Sequence, residues 1–256
     1  MPEGGDALSV LKFGSSVLRR PEDYADAARE VGAEVGGGCK VVAVVSAMAG
    51  TTDALLAAAE RAVPAPGDPE LNFVLASGEE VSAGMLALAL AARGVSARAF
   101  TRSDAPIHTR GPLDNADPVG LEAEPIRSHL ESGDVVVYPG FVGVDATGEP
   151  SLLGRGGSDM TAIFLGHRLG ARELRLVKDV NGICAADPRE RPDAVPMDYI
   201  GWEGARRIGG GVVQEKALAY AMRHGVSFRV ASLGGGRGTW VGSPAEASRP
   251  PAALAG

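Results

Sequence analysis

Residues 151–189 read SLLGRGGSDMTAIFLGHRLGARELRLVKDVNGICAADPR and are the most informative part of the chain. A glycine-rich turn opens a helix, a buried strand follows, and the strand ends in Asp179 ahead of a second acidic turn, Asp187-Pro188-Arg189. Gly154, Gly156 and Gly157 let backbone amides crowd onto one point at a helix start, where the helix dipole favours an anion. Arg155 adds a planar guanidinium that matches a carboxylate or a phosphate, and Asp159 adds an acid in the first helical turn. Fixed donors around a moving charge are what phosphoryl transfer requires. Read singly, the glycines also suit tight packing, and Asp159 also suits the helix dipole.

Working outward, residues 7–13 (ALSVLKF) form a buried strand that ends at Gly14-Ser15-Ser16. Pro21 at a helix N1 position, with Glu22 and Asp23, starts a helix that the glycines at 36–38 end. Residues 41–45 are a continuous run of mostly β-branched residues, the pattern of a central parallel strand. The turn 46–50 (SAMAG) leads into a helix that Thr51, Thr52 and Asp53 can cap. A Pro/Gly loop at 64–69 precedes a long Ala/Leu-rich helix over about 70–93, with Gly78-Glu79 near its start, and a strand near 95–100. Residues 101–120, rich in Pro, Asp and Thr, form a long irregular loop or a small hairpin. A helix near 121–132, a strand at 134–138 and a turn at 145–148 lead back to the opening stretch. Beyond it come a strand at 173–177, helices near 202–208 and 212–224, and strands at 226–230 and 239–241. The Ala/Pro/Ser-rich tail, 243–256, is expected to be disordered. Strands alternating with helices predict an α/β fold, a mostly parallel sheet covered on both faces. Ligands of such sheets bind beyond the carboxyl ends of the strands, which puts loops 12–16, 46–52, 140–141 and 178–189 on one rim.

A chain of 256 residues with 45% hydrophobic and 22% charged residues is one large α/β domain, able to bury a full core. A net charge of −7 and the absence of any Lys/Arg run argue against nucleic acid as a partner. Cys39 and Cys184 show no metal-ligand spacing, and His108, His129, His167 and His224 form no cluster, so no metal site is expected. No signal peptide and no apolar span of 18 residues is read, so a cytoplasmic location without membrane contact is expected.

Outside the opening stretch, each candidate residue has two readings. Lys12 either neutralises a phosphate beside the Gly14-Ser15-Ser16 amides or reaches solvent from a strand end; GxxxxGK[ST] is absent. Ser46 and Thr52 either touch a ligand or cap a helix. Glu79 either meets an ammonium group or faces water. Residues 179–182 (DVNG) and 187–189 (DPR) are ordinary turn sequences as well as candidate ligands. Cys184 and Met160 suggest only packing. Lys216 reads as an exposed helix lysine, with approach to a nucleotide as the alternative.

The combined pattern resembles the aspartokinases of the amino acid kinase family. The carrying segments are 10–17 (VLKFGSSV), 44–53 (VVSAMAGTTD), Ser77-Gly78-Glu79 with Ser82, Gly140-Phe141, 153–159 (LGRGGSD) with Thr161-Ala162, and 178–183 (KDVNGI) with Asp187-Pro188-Arg189. The resemblance runs in order from about 8 to 242. It implies a three-layer αβα sandwich with an acceptor lobe over about 1–150 and a nucleotide lobe over about 151–242. The implied reaction moves the γ-phosphoryl of ATP, with Mg2+, onto the side-chain carboxylate of L-aspartate. A glutamate or N-acetylglutamate kinase and a catalytically silent homologue are the alternatives.

Carried over by the resemblance, Lys12 and Asp159 are catalytic, while Ser46, Thr52, Glu79, Arg155 and Ser158 hold the amino acid. Lys12, Gly14, Ser15, Lys178, Asp179, Cys184, Asp187, Arg189 and Gly211 occupy nucleotide positions. A homodimer or higher homo-oligomer is implied. The departures are Ser15-Ser16 where Gly-Thr-Ser is usual, Lys178 for Thr, Cys184 for Tyr, and Gly211 for a phosphate-side lysine, a charge that Lys178 or Lys216 would replace. The paired regulatory ACT domains usual in aspartokinases have no room after 242, so feedback inhibition through them is not expected.

Overall fold

The computed structural model describes residues 7–65, 67–186, 191, 193–208, 211–236 and 238–243. The chain runs β1 (Leu8–Phe13), α1 (Asp23–Gly36), β2 (Lys40–Val45), α2 (Thr51–Ala62), α3 (Asp68–Ala91) and β3 (Ala97–Ala99). A hairpin of β4 (Ile107–Arg110) and β5 (Asp117–Leu121) precedes α4 (Glu124–Glu131), β6 (Val135–Pro139) and a second hairpin of β7 (Val142–Val144) and β8 (Pro150–Leu152). Then come α5 (Gly157–Leu169), β9 (Glu173–Lys178), β10 (Tyr199–Ile200), α6 (Trp202–Ile208), α7 (Glu215–His224), β11 (Phe228–Ser232) and β12 (Thr239–Val241).

The main sheet has the order β10-β12-β11-β9-β1-β2-β6-β3, and from β11 to β3 every neighbour pair is parallel. β12 pairs antiparallel with β11, and β10 runs parallel to β12. Parallel strands buried on both faces need continuous apolar runs, which LSVLKF and KVVAVV supply. Side chains alternate between faces. Val10 joins Val42, Val44, Ile163 and Leu176 in one core, on the side of α5 and α7. Leu11 and Phe13 join Ala27, Val31, Leu86 and Leu90 in the other, under α1 and α3. The predicted three layers are present, and the alternation assigns Lys12 to the α5 side. A smaller four-stranded sheet, β5-β4-β7-β8, lies beside them.

Several local expectations change. Of the two readings for residues 101–120 the small hairpin is the one present, its first strand and most of its second lying in that stretch. Gly50, in the left-handed region at φ 79°, takes the N-cap of α2, so Thr51, Thr52 and Asp53 lie within the helix and no side chain caps it. Pro21 precedes α1, whose N-cap is Glu22. α7 begins at Glu215, not near 212, after a turn with Gly211 at φ 83°. Glu79 lies midway along α3 rather than near its start.

Against the expectation of no apolar span of 18 residues, α3 is long and apolar enough by length and composition to cross a membrane. Its Asn72, Glu79 and Ser82 are buried and hydrogen-bonded to neighbouring loops, so it is a core helix. The tail expected to be disordered, 243–256, lies beyond Ser243 outside the described residues.

Gly140 shows how tightly α5 seats on the end of the sheet. Its N–H donates to Val45 O at 2.8 Å, and a Cβ there would stand 2.6 Å from Ser158 Cβ and 2.9 Å from Val45 O. Gly140→Ala is therefore expected to lower stability by about 1–3 kcal/mol, the usual range for overpacking. Urea unfolding at the wild-type midpoint would show that the gap is not closed.

Candidate functional site

The carboxyl ends of β1, β2, β6 and β9 open, with the glycine-rich turn before α5, onto a cleft of about 540 Å³. At its foot Lys12 Nζ lies 2.8 Å from Asp159 Oδ1, and Lys178 Nζ lies 2.9 and 2.7 Å from the two oxygens of the same carboxylate. Lys12 is 5% exposed and Asp159 2%. Burial works against the charge on Asp159, but the two ammoniums outweigh it and hold its carboxyl below the usual range. Burial, then Lys12, push the Lys178 ammonium below its ordinary pKa, with Asp159 opposing them. Gly14 makes room for this arrangement, since a Cβ on it would lie 2.6 Å from Lys12 Nζ.

One wall comes from α3. Glu79, 3% exposed, accepts the Ala47 N–H at 2.7 Å. Burial pushes its carboxyl up to about 8, against the pull of that hydrogen bond and of Lys12. One turn along, Ser82 Oγ donates to Ser46 O at 2.6 Å and pairs with Tyr24 OH at 2.8 Å. The buried polar side of an otherwise apolar helix thus fixes the loop after β2. Ser46 and Thr52 line the cleft above it.

The opposite wall is the turn itself. Gly154 and Gly156 are left-handed at φ 75° and 71°, and side chains there would collide with Asn115 and Gln214. Arg155 is exposed at the mouth and Ser158 is buried at the helix start. Phe141, at φ 71°, is strained for a bulky residue. It is held because its N–H donates to Thr161 Oγ1 at 3.0 Å and its carbonyl accepts Leu153 N–H at 2.8 Å.

The cleft therefore brings together Lys12, Ser15, Ser46, Thr52, Glu79, Arg155, Ser158, Asp159 and Lys178. Asp179, Cys184 and Gly211 do not line it, and Cys184 Sγ faces Ala194 O at 3.8 Å. Asp187 and Arg189 lie outside the described residues. Lys216 is neither an exposed helix lysine nor free for a nucleotide. Its Nζ donates to Asn115 Oδ1, Ala116 O and Leu153 O at 3.0, 2.8 and 3.2 Å and meets Asp117 at 3.2 Å. Asp114, Phe141 and Gln214 also line the cleft. Asp114 has no sequence signal beyond a polar loop, whereas Phe141 belongs to the Gly140-Phe141 pair of the rim.

Removing one member of a buried ion pair costs about 3–5 kcal/mol because the remaining charge has no partner. Asp159→Asn leaves two ammoniums facing each other and is expected to lose stability on that scale, and Lys178→Met added to it should restore part of the loss. Denaturant unfolding of the single and double variants checks this, and a double variant less stable than Asp159→Asn contradicts it.

Positions 7–232 match the family model described as Amino acid kinase family. The aspartokinase of Mycobacterium tuberculosis is 37% identical over 230 residues, covering 88% of this chain and 55% of the relative. That of Thermus thermophilus is 35% identical over 229 residues, 88% of this chain and 56% of the relative. The chain thus spans about half the length of the curated relatives it matches. Among solved structures, aspartate kinase from Synechocystis superposes with a TM-score of 0.79 at 31% identity, over 93% of this chain and 40% of that one. E. coli aspartokinase III in complex with aspartate and ADP gives 0.82 at 24% identity, over 92% and 64%, a likeness of fold. With a family match running from before β1 through β11, this chain belongs to the amino acid kinase family.

Proposed function

We propose that this chain transfers the terminal phosphoryl group of ATP to the side-chain carboxylate of L-aspartate, giving 4-phospho-L-aspartate. The observation that carries the reading is a single cleft with a buried carboxylate, Glu79, on one wall, a guanidinium, Arg155, on the other, and two ammoniums on Asp159 at its foot. An amino acid presents one ammonium and one α-carboxylate to such walls, leaving its side chain toward the lysines. Ser46, Thr52 and Ser158 supply hydroxyls around it. Relatives 35–37% identical to this chain are aspartokinases.

A carboxylate is already a nucleophile at neutral pH, so the reaction needs no strong base. Positioning and neutralisation of charge supply the rate. Lys12 and Lys178 neutralise the phosphoryl oxygens, and Asp159 holds both in place. Backbone at Gly14 and Ser15 approaches the phosphates closely. Mg2+ travels on the ATP phosphates, the usual mode for this ion, since the Asp159 carboxylate is taken by lysines. On the donor side Lys178 takes the charge that position 211 lacks; Lys216 is tied to the loop at 115–117. Asp179, Cys184, Gly211, Asp187 and Arg189 are assigned to the nucleotide half, about 151–242, with the acceptor half at about 1–150. We extend the reading to a cytoplasmic homo-oligomer, for which exposed Phe73, Val81 and Leu88 along α3 offer an apolar face.

Glu79 separates the alternatives, because an N-acylated amine has no need of a buried carboxylate, and a silent homologue has no need of the Lys12–Asp159–Lys178 group. The deciding experiment traps the acyl phosphate with hydroxylamine using aspartate, glutamate and N-acetylglutamate. Hydroxamate is expected with aspartate; its formation with another acid but not with aspartate rejects the substrate. Arg155→Ala should raise the KM for aspartate by about tenfold or more, the scale of a charged hydrogen bond, with much less effect on ATP. Equal loss for both substrates reassigns Arg155.

The raised pKa of Glu79 adds a pH signature. In the empty cleft it holds a proton at pH 7, and an ammonium beside it expels that proton, so affinity for aspartate rises as pH climbs toward 8. Because the native state keeps a proton that the unfolded chain loses, this group makes stability fall between about 4.5 and about 8. Glu79→Gln should flatten both dependences and weaken aspartate binding. A wild-type pH profile of KM in that variant would remove Glu79 from the site.

A further inference from the structure

A second cavity, about 670 Å³, lies between α5, α7 and the β4–β5 hairpin and shares no lining residue with the cleft. Arg110, Arg168 and Arg223 line it together with His167, His224 and Lys216. Its lining has one carboxylate, Asp117, which Lys216 already engages at 3.2 Å. Among the described residues no acid pairs with any of the three guanidiniums; Arg168 instead lies over the Phe164 ring at 5.8 Å. The chain as a whole carries a net charge of −7, so three guanidiniums left unneutralised around one concavity stand against its general balance.

The floor is built from rings. Tyr220 and His224 lie 4.3 Å apart between centroids and His167 and His224 5.0 Å, each pair tilted by 35°, and His167 Nδ1 is hydrogen-bonded to Tyr220 OH at 2.9 Å. Burial, and after it His224 and Arg168, push the His167 pKa down. Planar guanidiniums match phosphate oxygens in pairs, and ring faces accept the rest of a small molecule. A concave floor and an acidic chain both disfavour a nucleic acid strand.

We propose that this cavity binds a small phosphate-bearing anion, held by Arg110, Arg168 and Arg223 over the Tyr220–His224 rings, at a site separate from the cleft. The probe is inorganic pyrophosphate, followed by the ring C–H resonances of His167 and His224 and by titration calorimetry at constant ionic strength. Pyrophosphate is expected to shift both histidines in wild type and in Lys12→Met. The Arg168→Ala/Arg223→Ala pair should weaken that binding about tenfold or more, with hydroxamate formation unchanged. Three results overturn the proposal: no histidine shift, an equal shift with chloride at the same ionic strength, or wild-type affinity in the double arginine variant. Loss of the shifts in Lys12→Met would place the anion in the cleft and overturn it as well.

Discussion

One buried carboxylate holds two ammoniums at the centre of this protein. Lys12 is the last residue but one of β1, Lys178 ends the neighbouring strand β9, and Asp159 lies in the first turn of the helix that covers both. Each charge alone would be costly to bury; together they leave one net positive charge at the foot of the cleft. The surrounding glycines follow from this. Gly14, Gly140 and Gly157 stand where a Cβ would meet Lys12, Ser158 and Phe141 respectively. They allow the helix start to come close enough for the carboxylate to reach both lysines.

α3 imposes the complementary constraint. It buries one acid and one hydroxyl among apolar neighbours, and both side chains turn to the loop after β2. The loop is thereby fixed from below, and its upper side is left free to face the cleft. Burial is also what keeps Glu79 protonated until a cation arrives, so positioning and electrostatic poise come from the same packing. The outer side of this helix exposes Phe73, Val81 and Leu88.

The sheet was legible because its signal is local: two apolar strands, the glycine punctuation and the alternation of elements. The rim loops followed from topology, and the cleft is indeed lined from the ends of β1, β2, β6 and β9. What could not be read depends on distant contacts. The oxygens that hold Lys216 lie 63 to 101 residues away, so nothing near it in sequence distinguishes it from a solvent lysine. Glu79 was ambiguous because α3 is apolar nearly all round, leaving no polar stripe to betray an inward acid. The cap of α2 was missed because a left-handed glycine replaced the expected hydroxyls.

Lys216 has one more property. Its ammonium sits among Asn115 Oδ1, Ala116 O and Leu153 O much as a potassium ion sits among carbonyls, but on a covalent leash. A free ion in that place would come and go with its concentration. The tethered one is held at a high local concentration by its own helix, so the join between the β4–β5 hairpin and the residue before Gly154 draws on no ion from the surrounding medium.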